Sequence, residues 1–186
     1  MDALPHSRCI LARSHKYPYS QLDLFIVDRK GEKSQDDVAA WVLPPLESVL
    51  ATFKARGITL PPGNYRVSAY GDSAEMSREL LALIYADKKR GSACLRWTYD
   101  FEKELPPVVG DIEIVLDHQN EPVLVTKIVR VDEHPFREVG ADFAAVEAEG
   151  DGSLAYWRHE HWRYFSRECA RIGRRFHFLV RAHVKL

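Results

Sequence analysis

Apolar positions along the chain recur with two periods, and the places where one gives way to the other outline the elements. Leu46, Val49, Leu50 and Phe53 follow helical spacing and Gly57 supplies a C-terminal stop, so a short amphipathic helix is predicted from Leu46 to Arg56. Thr59 to Gly63, with Pro61-Pro62, then leads into Tyr65, Val67 and Ala69, whose alternation predicts a strand. Asp72 with Glu75 has the form of a capping box. It opens a second helix with Met76, Leu80, Leu83 and Ile84 on one face, ending near Gly91 with Lys88, Lys89 and Arg90 in its last turn. A strand is expected from Ala93 to Tyr99.

Past Pro106-Pro107, Asp111 to Leu116 and Val123 to Val131 flank the turn-rich His118 to Pro122, the clearest hairpin signal in the chain. Ser153 can cap a long helix carrying Leu154, Trp157, His161, Tyr164 or Phe165, and Ile172, stopped by Gly173, and Phe176 to Val184 closes the chain as a strand-like run. Upstream, Arg8 to Arg13 and Leu22 to Val27 read as two strands of a hairpin, and the polar run from Asp28 to Asp37 reads as a connector. The pattern predicts an α+β domain with a mostly antiparallel, curled sheet over residues 41–186 and a hairpin-like extension over 1–40.

Length and charge narrow the picture. A chain of 186 residues, 46% apolar, suffices for one domain with a real core. A net charge of -1 announces neither nucleic acid nor membrane, so any polyanionic partner must meet a local patch. Cys9, Cys94 and Cys169 stand far apart without a CxxC pair, which argues against a disulfide framework or a zinc ribbon and for a reducing, cytoplasmic setting. No apolar run is long enough to span a membrane. His159, His161 and Cys169 lack a metal-ligand spacing, so no metal or other cofactor is expected, and His161, on the apolar stripe, reads as a buried, hydrogen-bonded imidazole.

Several segments together resemble a known family. Tyr70-Gly71-Asp72-Ser73, Leu80-Leu81-Ala82-Leu83 and Asp87-Lys88-Lys89-Arg90-Gly91-Ser92 are similar to the opening of bacterial ASCH domains, which read GDS, a leucine-rich helix and GKKTAT. Val109-Gly110-Asp111, Val115-Leu116-Asp117 and Pro135 to Val139 fall where that family has its next strands. The densest match is Phe143-Ala144, Glu147, Glu149-Gly150-Asp151, Ser153-Leu154, Tyr156-Trp157-Arg158, His161-Trp162 and Phe165 to Cys169. The resemblance spans roughly residues 45 to 186, with Asp87 where Gly is usual and Arg90 where Thr is usual.

It implies a PUA-like β-barrel flanked by helices, with a cleft lined by the Lys-rich loop and the acidic segment, and a partner that is RNA or a modified nucleoside. Family activities include an amidohydrolase of N4-acetylcytidine, using a Lys, a Thr three residues on and a Glu, and a ribonuclease. Carried over, the amidohydrolase set falls on Lys89, Ser92 and Glu147.

Amide hydrolysis needs a hydroxyl nucleophile, an activator and a proton donor to the leaving amine, which these three residue types can supply. For Lys89 to act as base its pKa must fall, which burial and the neighbouring cations Lys88 and Arg90 would favour. The bland counterpart is that lysines at a helix end are solvated caps. A second reading is single-stranded RNA binding or cleavage. Residues 158–186 hold eight cations against two acids, a local excess of +6, with Arg158, Arg163 and Arg167 as phosphate contacts beside Lys88 and Arg90. Trp97 and Tyr99, on the strand after the Lys-rich loop, would wall the cleft and stack on a base. The arginines could equally form a wet helix face that pairs with Glu138, Asp142, Glu147, Glu149 and Asp151. A non-catalytic interaction module is the third reading. The sequence does not specify an oligomeric state.

Overall fold

A computed structural model describes residues 42–176, together with the backbone pairing of 9–16 and 183–185. The expected strand Leu22 to Val27, the connector and most of the closing run lie outside the described residues. Two compact units share the chain.

The first unit holds α1 (Leu46–Ala55), β2 (Tyr65–Ala69), most of α2 (Ala74–Tyr85), β4 (Ile112–Leu116) and the start of β5 (Pro122–His134). Helix α1 buries Val49 and Phe53, one turn apart. Its end is closed at Gly57, φ +69°, where Ile58 N–H reaches back to the carbonyl of Phe53 at 3.0 Å. Those two side chains meet Ile112, Ile114, Leu116 and Val125 in an apolar core. Strand β2 lies parallel to β4, and β4 and β5 form the expected antiparallel hairpin. Asp117 fixes that turn by accepting the N–H groups of Gln119 and Glu121 at 2.8 and 3.0 Å.

Helix α2 departs from expectation at both ends. At its start the Ser73 hydroxyl accepts Met76 N–H at 3.1 Å, one residue along from the Asp72 of the expected capping box. Its last residue is Tyr85, so Lys88, Lys89 and Arg90 lie past the helix. Asp87 takes a left-handed conformation, φ +57°, and the N–H groups of Lys88 and Lys89 both turn back onto the Leu83 carbonyl. Asp87 thus occupies the conformation that helix ends ordinarily give to glycine.

The second unit contains β1 (Cys9–Lys16), β3 (Gly91–Leu95), α3 (Arg96–Glu102), the end of β5, α4 (Ala141–Glu147), α5 (Leu154–Arg171) and β6 (His183–Lys185). Strand β3 runs antiparallel to both β1 and β6, and β1 pairs with β6 in parallel. The segment expected as an extension therefore contributes a strand that pairs with β3. Strand β3 stops at Leu95, and the expected strand to Tyr99 is replaced by α3. Trp97, Thr98 and Tyr99 favour strands by propensity. Here the helix lays Trp97 against the core and closes an Arg96–Asp100 ion pair one turn apart at 3.2 Å.

Phe136 to Glu138 form one 3₁₀ turn instead of a strand, with Phe136 buried. In α5, Ser153 accepts Tyr156 N–H at 3.1 Å as the N-cap. Trp157, His161, Phe165 and Cys169 follow at intervals of four, which puts them on one buried stripe. Trp157, Phe165 and Cys169 close on Ala93, Leu95, Phe136, Val139, Phe143 and Phe176. The expected barrel is not reached: among the described residues the strands form an open sheet, so the architecture is a small sheet with five helices.

Candidate functional site

Four ionisable side chains converge in the α5 unit. Lys89, whose chain turns inward directly after the helix end, is 4% exposed, while its neighbours Lys88 and Arg90 stand in solvent. Its Nζ donates to Glu149 Oε1 at 2.6 Å and lies 3.7 Å from Glu147 Oε1. Glu147, 1% exposed at the last position of α4, turns its other oxygen to α5. Glu147 Oε2 accepts the indole N–H of Trp157 at 2.6 Å and lies 3.1 Å from His161 Nε2. The α4 side of the site is joined to the Lys loop by Arg90 N–H on the Val146 carbonyl at 2.9 Å.

His161 is buried and stacked on the Trp157 ring at 4.2 Å. Its Nδ1 sits 3.1 Å from the Trp157 carbonyl and its Nε2 faces the Glu147 carboxylate. Both partners accept and neither donates, so the form that satisfies both nitrogens is the imidazolium. The pKa directions agree. Burial pushes His161 down, but the charge and hydrogen bond of Glu147 outweigh it, and the net is a rise from 6.5. For Lys89, burial likewise pulls down, and the charges and hydrogen bonds of Glu147 and Glu149 carry it above 10.5. Glu147 is pushed up by burial and pulled further down by the Lys89 and His161 charges and its hydrogen bonds to His161 and Trp157. Glu147 thus stands between an ammonium and an imidazole whose added proton it favours.

This corrects the expected role of Lys89. The neighbouring cations that would depress it point to solvent, and the groups that reach its nitrogen are carboxylates. These contacts favour the ammonium form, opposite to the lowered pKa that the base role requires. Glu147, Glu149 and His161 offer ligand atoms within 4.8 Å of one another, a set that could surround a metal ion. The Lys89 ammonium, hydrogen-bonded to one and facing a second, supplies a tethered cation to the same carboxylates.

Ser92 does not share the face toward α4. In β3 the residues Gly91, Ala93 and Leu95 are buried, and a side chain at Gly91 would meet Val146, Phe143 and Glu147. Ser92 and Cys94 alternate to the opposite face, half-buried. Trp97 packs on the core with the Arg174 guanidinium 4.6 Å over its ring, and the Tyr99 hydroxyl lies 3.6 Å from Cys94 Sγ. Both residues stand on α3 and not on the expected strand.

Along α5, Arg163 pairs with Glu160 at 3.2 Å, and Arg171 with Glu168 and Glu102 at 3.0 and 2.8 Å. Arg158 donates to the carbonyls of Arg137 and Val139, and Arg167 is exposed. The acids paired with Arg163 and Arg171 come from α5 itself and from α3, while Glu147 and Glu149 of the acidic segment serve Lys89. Glu149, Trp157 and His161 are the site members that the residue-by-residue transfer omitted. Their signal was present as two carboxylates two positions apart, followed by a Trp and a His at i, i+4.

Fold and site define a small α+β protein with a buried Lys–Glu–His cluster at the junction of a Lys-rich loop and an acidic loop. The ASCH domain model matches residues 66–178, and the chain belongs to that family. Among solved structures, an ASCH domain from Lactobacillus crispatus is 29% identical with a TM-score of 0.58, covering 75% of this chain and 89% of that one. A protein from Enterococcus faecalis, 24% identical, has a TM-score of 0.57 over 75% of this chain and 82% of its own, and shares the fold. Curated proteins give no match. Among the described residues no helix is long and apolar enough to cross a membrane.

Proposed function

We propose that this chain binds RNA or a modified nucleoside at the Lys89 cluster and hydrolyses an acyl group from the nucleoside, with N4-acetylcytidine as the substrate to test. One observation carries the reading: an ammonium buried to 4% exposure between two carboxylates. Burying charges costs several kcal/mol per ion and is weak support for stability, so such a cluster in a family linked to RNA binding marks a site. A fixed ammonium suits a reaction that puts negative charge on an acyl oxygen and then requires a proton on the departing amine.

In this scheme a hydroxyl oxygen bonds to the acetyl carbon and loses its proton to a carboxylate. The C–N bond then breaks as Lys89 protonates N4 and cytidine leaves; water hydrolyses the acetyl ester formed on the hydroxyl, which releases acetate and restores the hydroxyl. The family resemblance supplies Ser92 as that hydroxyl, but alternation along β3 turns it to the face away from Glu147, so water is the alternative nucleophile. Purified protein incubated with N4-acetylcytidine should release cytidine, and Lys89→Met should abolish release; no turnover by the wild type removes the hydrolase reading. Turnover that survives Ser92→Ala hands the attack to water and leaves the Lys89 cluster in place.

RNA binding without hydrolysis is the second reading, supported by the exposed cations Lys88 and Arg90 on either side of the buried lysine. It predicts affinity for single-stranded RNA that falls steeply with salt and weakens on charge reversal at both positions.

A further inference from the structure

We infer that the two carboxylates on Lys89 divide the work: Glu147 is a fixed anchor, and Glu149 is the exchangeable group that yields Lys89 to an incoming ligand and takes the proton of the attacking hydroxyl. The inference rests on the reading that this cluster is the ligand site.

Glu147 has no freedom to move. Its Oε2 is held by the Trp157 indole and faced by the His161 ring, both on one helix, and its Oε1 faces Lys89. Turning it would strand an indole donor and an imidazolium in the core, each a buried group without its acceptor. Glu149 differs in every respect. Its side chain keeps 20% exposure, and one short hydrogen bond, 2.6 Å to Lys89, fixes one of its oxygens.

The loop that carries Glu149 is tightly turned. Ala148, Gly150 and Gly152 all take positive φ, and Gly152 N–H closes onto the Glu149 carbonyl at 2.9 Å. A Cβ at Gly150 would overlap the Tyr156 ring. The backbone around Glu149 is thus closely packed, while its side chain bonds Lys89 and keeps part of its surface in solvent, the arrangement suited to meeting a ligand.

An ammonium beside a carboxylate presents a donor next to an acceptor. That pair complements an acylated amine, whose carbonyl oxygen accepts from Lys89 while its N–H donates to Glu149. The proton cycle also closes at this pair. Glu149 gains the proton of the attacking hydroxyl and Lys89 gives one to the leaving nitrogen. The neutral amine and the carboxylic acid then stand in hydrogen-bond contact, and one transfer from Glu149 to Lys89 restores both.

The test combines kinetics with carboxylate labelling on the full chain. Glu149→Gln should lower kcat on N4-acetylcytidine about 100-fold or more, with Glu149→Asp recovering part of it. A water-soluble carbodiimide with an amine nucleophile should derivatise Glu149 in the folded protein and spare Glu147, with added cytidine slowing the reaction at Glu149. A Glu149→Gln variant within about threefold of wild-type kcat, or Glu147 labelled as fast as Glu149, overturns the assignment. Wild-type protein that leaves N4-acetylcytidine intact refutes the hydrolase reading instead, and the labelling then decides the anchor assignment by itself.

Discussion

The two units each bury a glutamate and satisfy it in opposite ways. In the α1 unit Glu113, 8% exposed in the middle of β4, accepts hydrogen bonds from two hydroxyls, Tyr70 at 3.0 Å and Thr126 at 3.3 Å. In the α5 unit Glu147 meets an indole N–H, an imidazolium and an ammonium. A hydroxyl both donates and accepts, so Tyr70 and Thr126 can rotate to suit either an ionised or a neutral partner. An ammonium, an imidazolium and an indole only donate, so Glu147 is bound to its ionised state. The first arrangement tolerates a change of charge and the second does not.

The comparison breaks hardest under an isosteric amide. Glu147→Gln removes the charge that holds Lys89 and His161 and should cost about 3–5 kcal/mol in urea unfolding, as for one partner of a buried ion pair. Glu113→Gln keeps an acceptor for both hydroxyls and should cost about 1 kcal/mol or less. Equal losses would dissolve the distinction. Trp157→Phe, which retains most of the ring packing but deletes the indole donor, should fall between them at about 1–3 kcal/mol.

Acidity sharpens the same contrast. Glu147 titrates below its ordinary 4.5 in the folded state, so its contribution is full above 4.5 and fades as pH falls through the lower folded value. His161 titrates above 6.5, so its contribution is full below 6.5 and fades as pH rises through the higher folded value. The groups facing His161 are Glu147, Glu149, Lys89 and the Trp157 carbonyl, and the acidic pair dominates. Melting temperature should accordingly decline on the alkaline side of this window, and His161→Gln should lose that decline. An unchanged alkaline slope in His161→Gln would show that the imidazolium contributes nothing.

What the sequence disclosed follows the reach of each signal. The α1 helix, the β4–β5 hairpin and the Ser153 cap rest on contacts a few residues apart, and all three appear where the pattern put them. Helix α3 was not legible because Trp97, Thr98 and Tyr99 favour strand locally, while the core contact that turns them into a helix involves residues far along the chain. The charge state of Lys89 lies beyond the local sequence for a related reason. Its sequence neighbours are cations, but the carboxylates that set its charge are 58 and 60 positions away. His161 was readable as a buried imidazole, yet its charge depends on two acceptors that only the folded helix supplies.

The end of α2 offers the smallest and cleanest probe, because it tests how the Lys89 loop is delivered without touching the cluster. Asp87 holds φ +57° with a Cβ present, a conformation that crowds that carbon against the backbone, although Asp tolerates it better than most residues. Asp87→Gly removes the crowding but raises the entropy of the unfolded chain, and the two effects oppose each other. At a left-handed helix terminus the steric relief is the larger, so stability should rise by about 0.5 kcal/mol, read as a shift in urea midpoint at constant slope. The reversal of the chain, and with it the inward turn of Lys89, depends on the backbone angle and not on the Asp87 side chain. The response to Glu147→Gln should therefore be the same size whether or not Asp87→Gly is also present. A loss that shrinks in the double variant would mean that the loop, not the carboxylate, holds Lys89 inside.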